Sequence, residues 1–195
     1  MPFGGDSMNP TERVLAELPD EIGGYTLKKL LLPVEFGRAA DIACREYDAV
    51  SPAAVIMLGQ AGGRGAITPE AVGRNIMNAR IPDNAGFSPE NEKIVPGGAE
   101  ELYSSFPIDA IVSAIRGEGI AAEISRGAGA YVCNSVLYSM LAHNAGSVPT
   151  GFIHVPFIRE QVEGVPGRES IPFMEEADIL RGILAAIRAV AGSVG

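Results

Sequence analysis

Apolar and polar positions alternate along this chain with two periods, one helical and one of strands, and the two take turns. Residues 11–18 carry the helical period, with Asn9 placed to cap and Pro10 in the first turn. Residues 25–33 (YTLKKLLLP) predict a strand, and 35–48 a helix with Ala39, Ile42 and Ala43 on one face. Residues 53–58 (AAVIML) form a short continuous apolar run, the mark of a strand covered on both faces. A helix over 108–116 is closed by Gly117 and Gly119, an apolar approach to Ile124 reads as a strand, and 150–155 is a strand stopped by Pro156. The last helix, 175–190, opens with acidic residues and carries its arginines later, which suits the helix dipole. Residues 66–84 have mixed periodicity and receive no element. Pro- and Gly-rich sequence continues to Gly98, an irregular stretch of the kind used as functional or assembly loops. Residues 159–170 read as loop. The alternation predicts an α/β layered fold with a largely parallel sheet. With 195 residues, no repeat and no boundary signal, it reads as one domain over 1–195.

One stretch stands out chemically: residues 127–143, GAGAYVCNSVLYSMLAH. Small residues make a turn, then Cys133 precedes Val136, Leu137, Met140 and Leu141 at helical spacing. Cys133 therefore falls at a strand-to-helix corner, at or near a helix N-terminus. Unpaired amides and the dipole there favour a thiolate and can hold an oxyanion. A free Cys is also commonly a small buried hydrophobe, and Cys44, inside a helical pattern with no base near it, reads that way.

Composition narrows the classes. A formal net charge of −9, no basic cluster beyond Lys28-Lys29 and no Trp exclude an ordinary nucleic-acid binder. Two cysteines are too few for a secreted disulfide scaffold and match no zinc spacing, so both thiols are expected reduced, in the cytoplasm, and no metal or other cofactor is implied. No signal peptide is visible, and the most apolar segment, 179–190, is broken by Arg181 and Arg188, so no membrane partner is expected. GQAGGR, residues 59–64, follows a predicted strand but is neither a Walker A nor a dinucleotide fingerprint, and reads as a turn.

Only two histidines exist. His143 lies ten residues beyond Cys133 in the same helix, nearly three turns away, and cannot reach it. His154, near a strand end, is left as the base for Cys133, with Glu70 or Asp83 to orient it.

The motifs PFGG followed by NP, GQAGGR, ITPEAVGRN, NARIPDN, GAGAYVCNSVLY and GFIHVPF, in this order over essentially the whole chain, resemble the pyroglutamyl peptidase I (pyrrolidone-carboxylate peptidase) family of cysteine peptidases. The resemblance implies a three-layer α/β/α domain, removal of N-terminal pyroglutamyl residues from peptides, no metal, a cytosolic location and a homo-oligomer, often a tetramer. It places the nucleophile on Cys133, the base on His154, the acid on Glu70, an arginine near the oxyanion on Arg80, the lactam-binding glutamine on Gln60, and ring-flanking aromatics on Phe3 and Tyr131. It also implies an apolar strand and a Phe ahead of PFGG. Here the sequence reads Met1-Pro2-Phe3, so that first strand is expected to be missing, through a start placed late. Two other readings fit the same residues: a cysteine amidase acting on another small lactam or amide, and a truncated, catalytically impaired homologue.

Overall fold

The computed structural model describes residues 8–194. Helix α1 (Pro10–Glu17) starts where its cap predicts: the Asn9 side chain accepts the Thr11 amide at 3.0 Å. This satisfies one of the amides that a helix start leaves unpaired. A tight hairpin follows, β1 (Glu21–Ile22) with β2 (Tyr25–Thr26). The strand expected over 25–33 ends there. The Leu27 amide closes the hairpin on the Asp20 carbonyl at 2.7 Å, and residues 28–33 make no backbone hydrogen bond among the described residues. Alternating side chains make a strand only where a neighbouring edge completes the ladder.

The chain continues through α2 (Arg38–Val50), β3 (Val55–Gln60), β4 (Thr68–Pro69), β5 (Val72–Arg74), β6 (Glu101–Tyr103), α3 (Ile108–Gly117), α4 (Val132–Asn144), β7 (Thr150–Val155), a 3₁₀ turn (Arg159–Gln161) and α5 (Glu176–Ala191). The central sheet has the order β3-β7-β4. β3 and β7 run parallel, from Val55 beside Thr150 to Gln60 beside Val155, whereas β4 runs antiparallel to β7. The sheet is therefore mixed, with its longest pairing parallel as expected and one short antiparallel strand added. Only the GQAGGR turn and its short continuation separate β3 from β4, far less chain than a parallel crossover requires. Outside β4, Ile67 and Glu70 bridge in parallel to Ala122 and Ser125, so the predicted strand approaching Ile124 makes bridges and no ladder.

Helices cover both faces. Ile153 and Val155 of β7 join Val14, Ile111, Ile115, Ile179 and Ile183 in one core, made by α1, α3 and α5. Phe152 of β7 and Met57 of β3 join Ala39, Val136, Leu137 and Met140 in the other, made by α2 and α4. This is the expected three-layer α/β/α arrangement, and its period of two along β7 decides that His154 faces α4. β5 and β6, in sequence that predicted no element, form a separate antiparallel pair against α4. Gly73 gives β5 its close approach: a Cβ there would lie 3.1 Å from the Tyr138 amide nitrogen.

Among the described residues β3 pairs on one side only. Along its other side runs an apolar groove of about 410 Å³, lined by Leu27, Leu30, Leu32, Ile56 and Leu58 and reaching Gln60, Tyr131 and Cys133 at one end. No helix among the described residues is long and apolar enough to cross a membrane.

Candidate active site

Three backbone features converge where β3 and β7 end. His154 is the next-to-last residue of β7, 3% exposed, with its ring 4.6 Å from that of Phe152 on the same strand face. Gly59 lies opposite His154 in register. A Cβ at position 59 would stand 2.7 Å from the Phe152 ring and 3.1 Å from Cys133 Sγ. The missing side chain thus leaves the space that the Phe152 ring and the Cys133 thiol occupy. Gly59→Ala is expected to destabilise the fold by about 1–3 kcal/mol through overpacking, and to slow alkylation of Cys133. Thermal melting and iodoacetamide labelling together check this; wild-type behaviour in both would mean the corner has slack.

The third feature is the start of α4. Tyr131 is its N-cap, in extended conformation, and Cys133 is the second helical residue. The first backbone bond of this end runs from the Ser135 amide to the Tyr131 carbonyl at 3.1 Å. The amides of Val132, Cys133 and Asn134 are therefore left without an intrahelical acceptor. The corner is pinned by Asn134, which is fully buried. Its Oδ1 accepts the Arg74 amide at 2.9 Å, and its Nδ2 donates to the Arg74 and Ile76 carbonyls at 2.8 and 3.0 Å.

Behind His154 sits Glu70, with no exposed surface. Its Oε1 lies 2.7 Å from His154 Nδ1 and accepts from Arg64 Nη1 at 2.6 Å. Arg64 also donates to the Thr68 hydroxyl, and through Nη2 to the Gly127 carbonyl at 3.0 Å. Glu70 Oε2 has no well-formed hydrogen bond among the described residues, although the Ser125 hydroxyl also favours the charged carboxylate. Burial alone would raise the Glu70 carboxyl, but hydrogen bonds from His154, Ser125 and Arg64 and the imidazole charge hold it below its ordinary range. Burial alone would likewise lower His154. Hydrogen bonds to Cys133 and Glu70, with the negative charge of both, instead push it up to about 9. With Nδ1 committed to Glu70, Nε2 is the nitrogen left to face the thiol.

The other expected site residues are distributed as follows. Gln60 donates through Nε2 to Gln161 Oε1 at 3.0 Å. Gln161 Oε1 also accepts the Ile158 amide at 3.2 Å, so it is the carbonyl oxygen, and Gln60 must turn its NH₂ toward it. That leaves Gln60 Oε1 without a partner among the described residues. The Tyr131 ring packs edge-on against Phe36, 5.2 Å between centroids, and its hydroxyl donates to the Pro82 carbonyl at 3.1 Å. Arg80 is exposed, two residues beyond Asn78, whose amide donates to the Ala130 carbonyl at 2.8 Å; this holds it on the rim beside α4. Phe3 lies outside the described residues.

Asp83, the other candidate orienter, does not reach His154. Its carboxylate accepts the amides of Phe36, Ala85 and Phe87 at 2.8–2.9 Å and organises the loop that carries the aromatic cluster. His143 pairs with Asp48 on the surface at 2.8 Å, and Cys44 packs on Met140, its thiol pushed up by burial and by Asp48 and Asp41. Sequence reasoning missed Arg64, Thr68, Asn134 and Gln161. Arg64 ends the GQAGGR turn, and nothing in its spacing announced a buried carboxylate six residues on.

Residues 1–193 match the family model described as pyroglutamyl peptidase. The chain belongs to the pyroglutamyl peptidase family. It is 40% identical to the pyrrolidone-carboxylate peptidase of Levilactobacillus brevis over 192 residues, 97% of this chain and 93% of that protein. It is 44% identical to that of Thermococcus onnurineus over 168 residues, 85% of this chain and 84% of that one. A mutant pyrrolidone carboxyl peptidase of Pyrococcus furiosus superposes with a TM-score of 0.94 at 37% identity, covering 100% of this chain and 96% of the other. The pyroglutamyl peptidase I of Bacillus amyloliquefaciens superposes with a TM-score of 0.92 at 34% identity, covering 97% and 90%. The family's α/β architecture is thus shared over nearly the whole length.

Proposed function

We propose that this chain, acting as one peptidase domain, removes the N-terminal pyroglutamyl (5-oxoprolyl) residue from peptides through a thioester acyl-enzyme. The observation that carries the reading is the line Cys133, His154, Glu70 at a helix N-terminus, at the end of an apolar groove bearing one oriented carboxamide. With His154 pushed up to about 9, the imidazole holds its proton at neutral pH beside the Cys133 sulfur. The Cys133 sulfur adds to the carbonyl carbon of the pyroglutamyl residue. Free amides at the start of α4 hold the oxyanion, with Arg80 on the rim as helper. The C–N bond breaks as His154 gives its proton to the leaving amine. Water, deprotonated by His154, then adds to the thioester and expels the thiolate. Glu70 holds the imidazole throughout.

Substrate choice follows from Gln60. A lactam presents one N–H and no charged amine, so a single acceptor in an apolar wall suits it. Gln60 Oε1, left open by Gln161, is that acceptor, and Tyr131, with Phe3 by resemblance, flanks the ring. Gln60→Ala is expected to cost about ten- to a hundredfold in kcat/KM on pyroglutamyl substrates, chiefly in KM. The Cys133 alkylation rate should stay as in wild type.

The deciding test is release of aminomethylcoumarin from pyroglutamyl-aminomethylcoumarin, beside the prolyl and glutaminyl analogues. Turnover of the first alone is expected; equal turnover of all three, or none, overturns the reading. Two free thiols favour a reducing cytoplasm as the working location, and the family resemblance favours a homotetramer.

A further inference from the structure

The geometry points to Arg64 as a positioning residue that sets the charge of the Glu70–His154–Cys133 line and ties that charge to the loop carrying the cysteine corner. The inference deepens the peptidase reading and rests on it for turnover. Among the described residues Arg64 is the one cation bonded to Glu70 besides His154, and it shares the same oxygen, Oε1. Its fork has two jobs. Nη1 bonds Glu70 and the Thr68 hydroxyl, both beside β7, while Nη2 bonds the Gly127 carbonyl, six residues before Cys133. One planar group thus sets the distance between the orienting carboxylate and the turn that leads into α4. A lysine could supply the charge but not the fork. The Arg64 side chain is 27% exposed while that of Glu70 is 0% exposed, so the cation reaches the buried line from its solvent side.

The groups that face this line are few. Glu70 meets His154, Ser125 and Arg64, His154 meets Cys133 and Glu70, and the thiol side adds Tyr131, itself next to Asp83. Removing a positive charge from such a cluster makes every proton in it harder to remove. Without Arg64 the pH at which Cys133 becomes reactive toward iodoacetamide should therefore rise.

The readout is the rate of Cys133 alkylation by iodoacetamide against pH, which needs no substrate, together with kcat/KM on pyroglutamyl-aminomethylcoumarin. For Arg64→Met the alkylation midpoint is expected to move up by on the order of one pH unit. Its kcat/KM should fall by roughly ten- to a hundredfold, mostly in kcat. For Arg64→Lys the midpoint should stay near the wild-type value while kcat still falls, because the charge remains and the fork is lost. For Arg64→Ala, millimolar guanidinium should restore both, and urea at the same concentration neither. An unmoved midpoint in Arg64→Met, or wild-type kcat in Arg64→Lys, overturns the inference and leaves Arg64 a structural tie. If Arg64→Met does not fold, the lysine variant still decides. If the wild-type chain releases no aminomethylcoumarin, the peptidase reading fails while the alkylation midpoint still tests Arg64.

Discussion

Replacing Cys133 by Ser is expected to lower kcat/KM on pyroglutamyl-aminomethylcoumarin by at least about a thousandfold while the melting temperature barely changes. The two halves of that expectation have separate causes. The exchange alters one atom in a pocket bounded by Gly59 and Phe152, with no volume added, so packing has little reason to respond. Chemistry responds strongly. A thiol beside an imidazolium can rest as thiolate, whereas a hydroxyl cannot be ionised there, so the nucleophile is lost. The change should also lower His154, because contact with Cys133 is among the causes that hold it at about 9. Alkylation supplies an independent check. Cys44 is pushed up by burial and by neighbouring carboxylates, so labelling of the wild type at neutral pH should be dominated by Cys133 and largely vanish in the variant. Retained turnover would remove Cys133 from the mechanism whatever the labelling showed.

The corner that carries this prediction was legible because its physics is local. Small residues, then Cys133, then apolar residues at helical spacing describe a turn into a helix without reference to anything distant, and α4 begins at Val132. The strand over 150–155 was legible for a similar reason: every residue in it is buried, so it reads as a short run of its own that Pro156 ends. Residues 25–33 misled because the residue types of a short run do not report whether a ladder partner exists, and beyond Thr26 none does among the described residues. β4, β5 and β6 were illegible because they are two or three residues long and answer to neighbours far away in sequence, as Gly73 does to Tyr138. The choice between Glu70 and Asp83 could not be made from spacing. Both are buried acids, and only the fold sends one to an imidazole and the other to a row of backbone amides. Gln161 shows the same limit: it lies in predicted loop, yet it decides which way Gln60 points.

His154→Ala is the second change with a large expected effect, again about a thousandfold in kcat/KM, and comparison with Glu70→Gln separates the base from its orienter. Alanine removes the proton carrier for both half-reactions. Glutamine keeps a partner near Nδ1 but deletes a charge, so its cost should be smaller, as it is when an orienting acid alone is removed from a triad. The signature of Glu70→Gln lies in its pH profile. In the wild type kcat/KM should fall as pH rises through about 9, where the imidazolium loses the proton that the leaving amine needs. Taking away the Glu70 charge, with Arg64 still beside the site, lowers the affinity of His154 for that proton, so the alkaline fall should move to lower pH. Stability obeys the same sign. A folded-state value raised from 6.5 to about 9 contributes stability that is fully present below about pH 6.5 and lost as pH rises through about 9. Melting temperature followed across that window should decline more in the wild type than in His154→Ala. An alkaline limb that stays put in Glu70→Gln would mean that the charge of Glu70 does not set the proton affinity of the base, and that the acid serves His154 by its position alone.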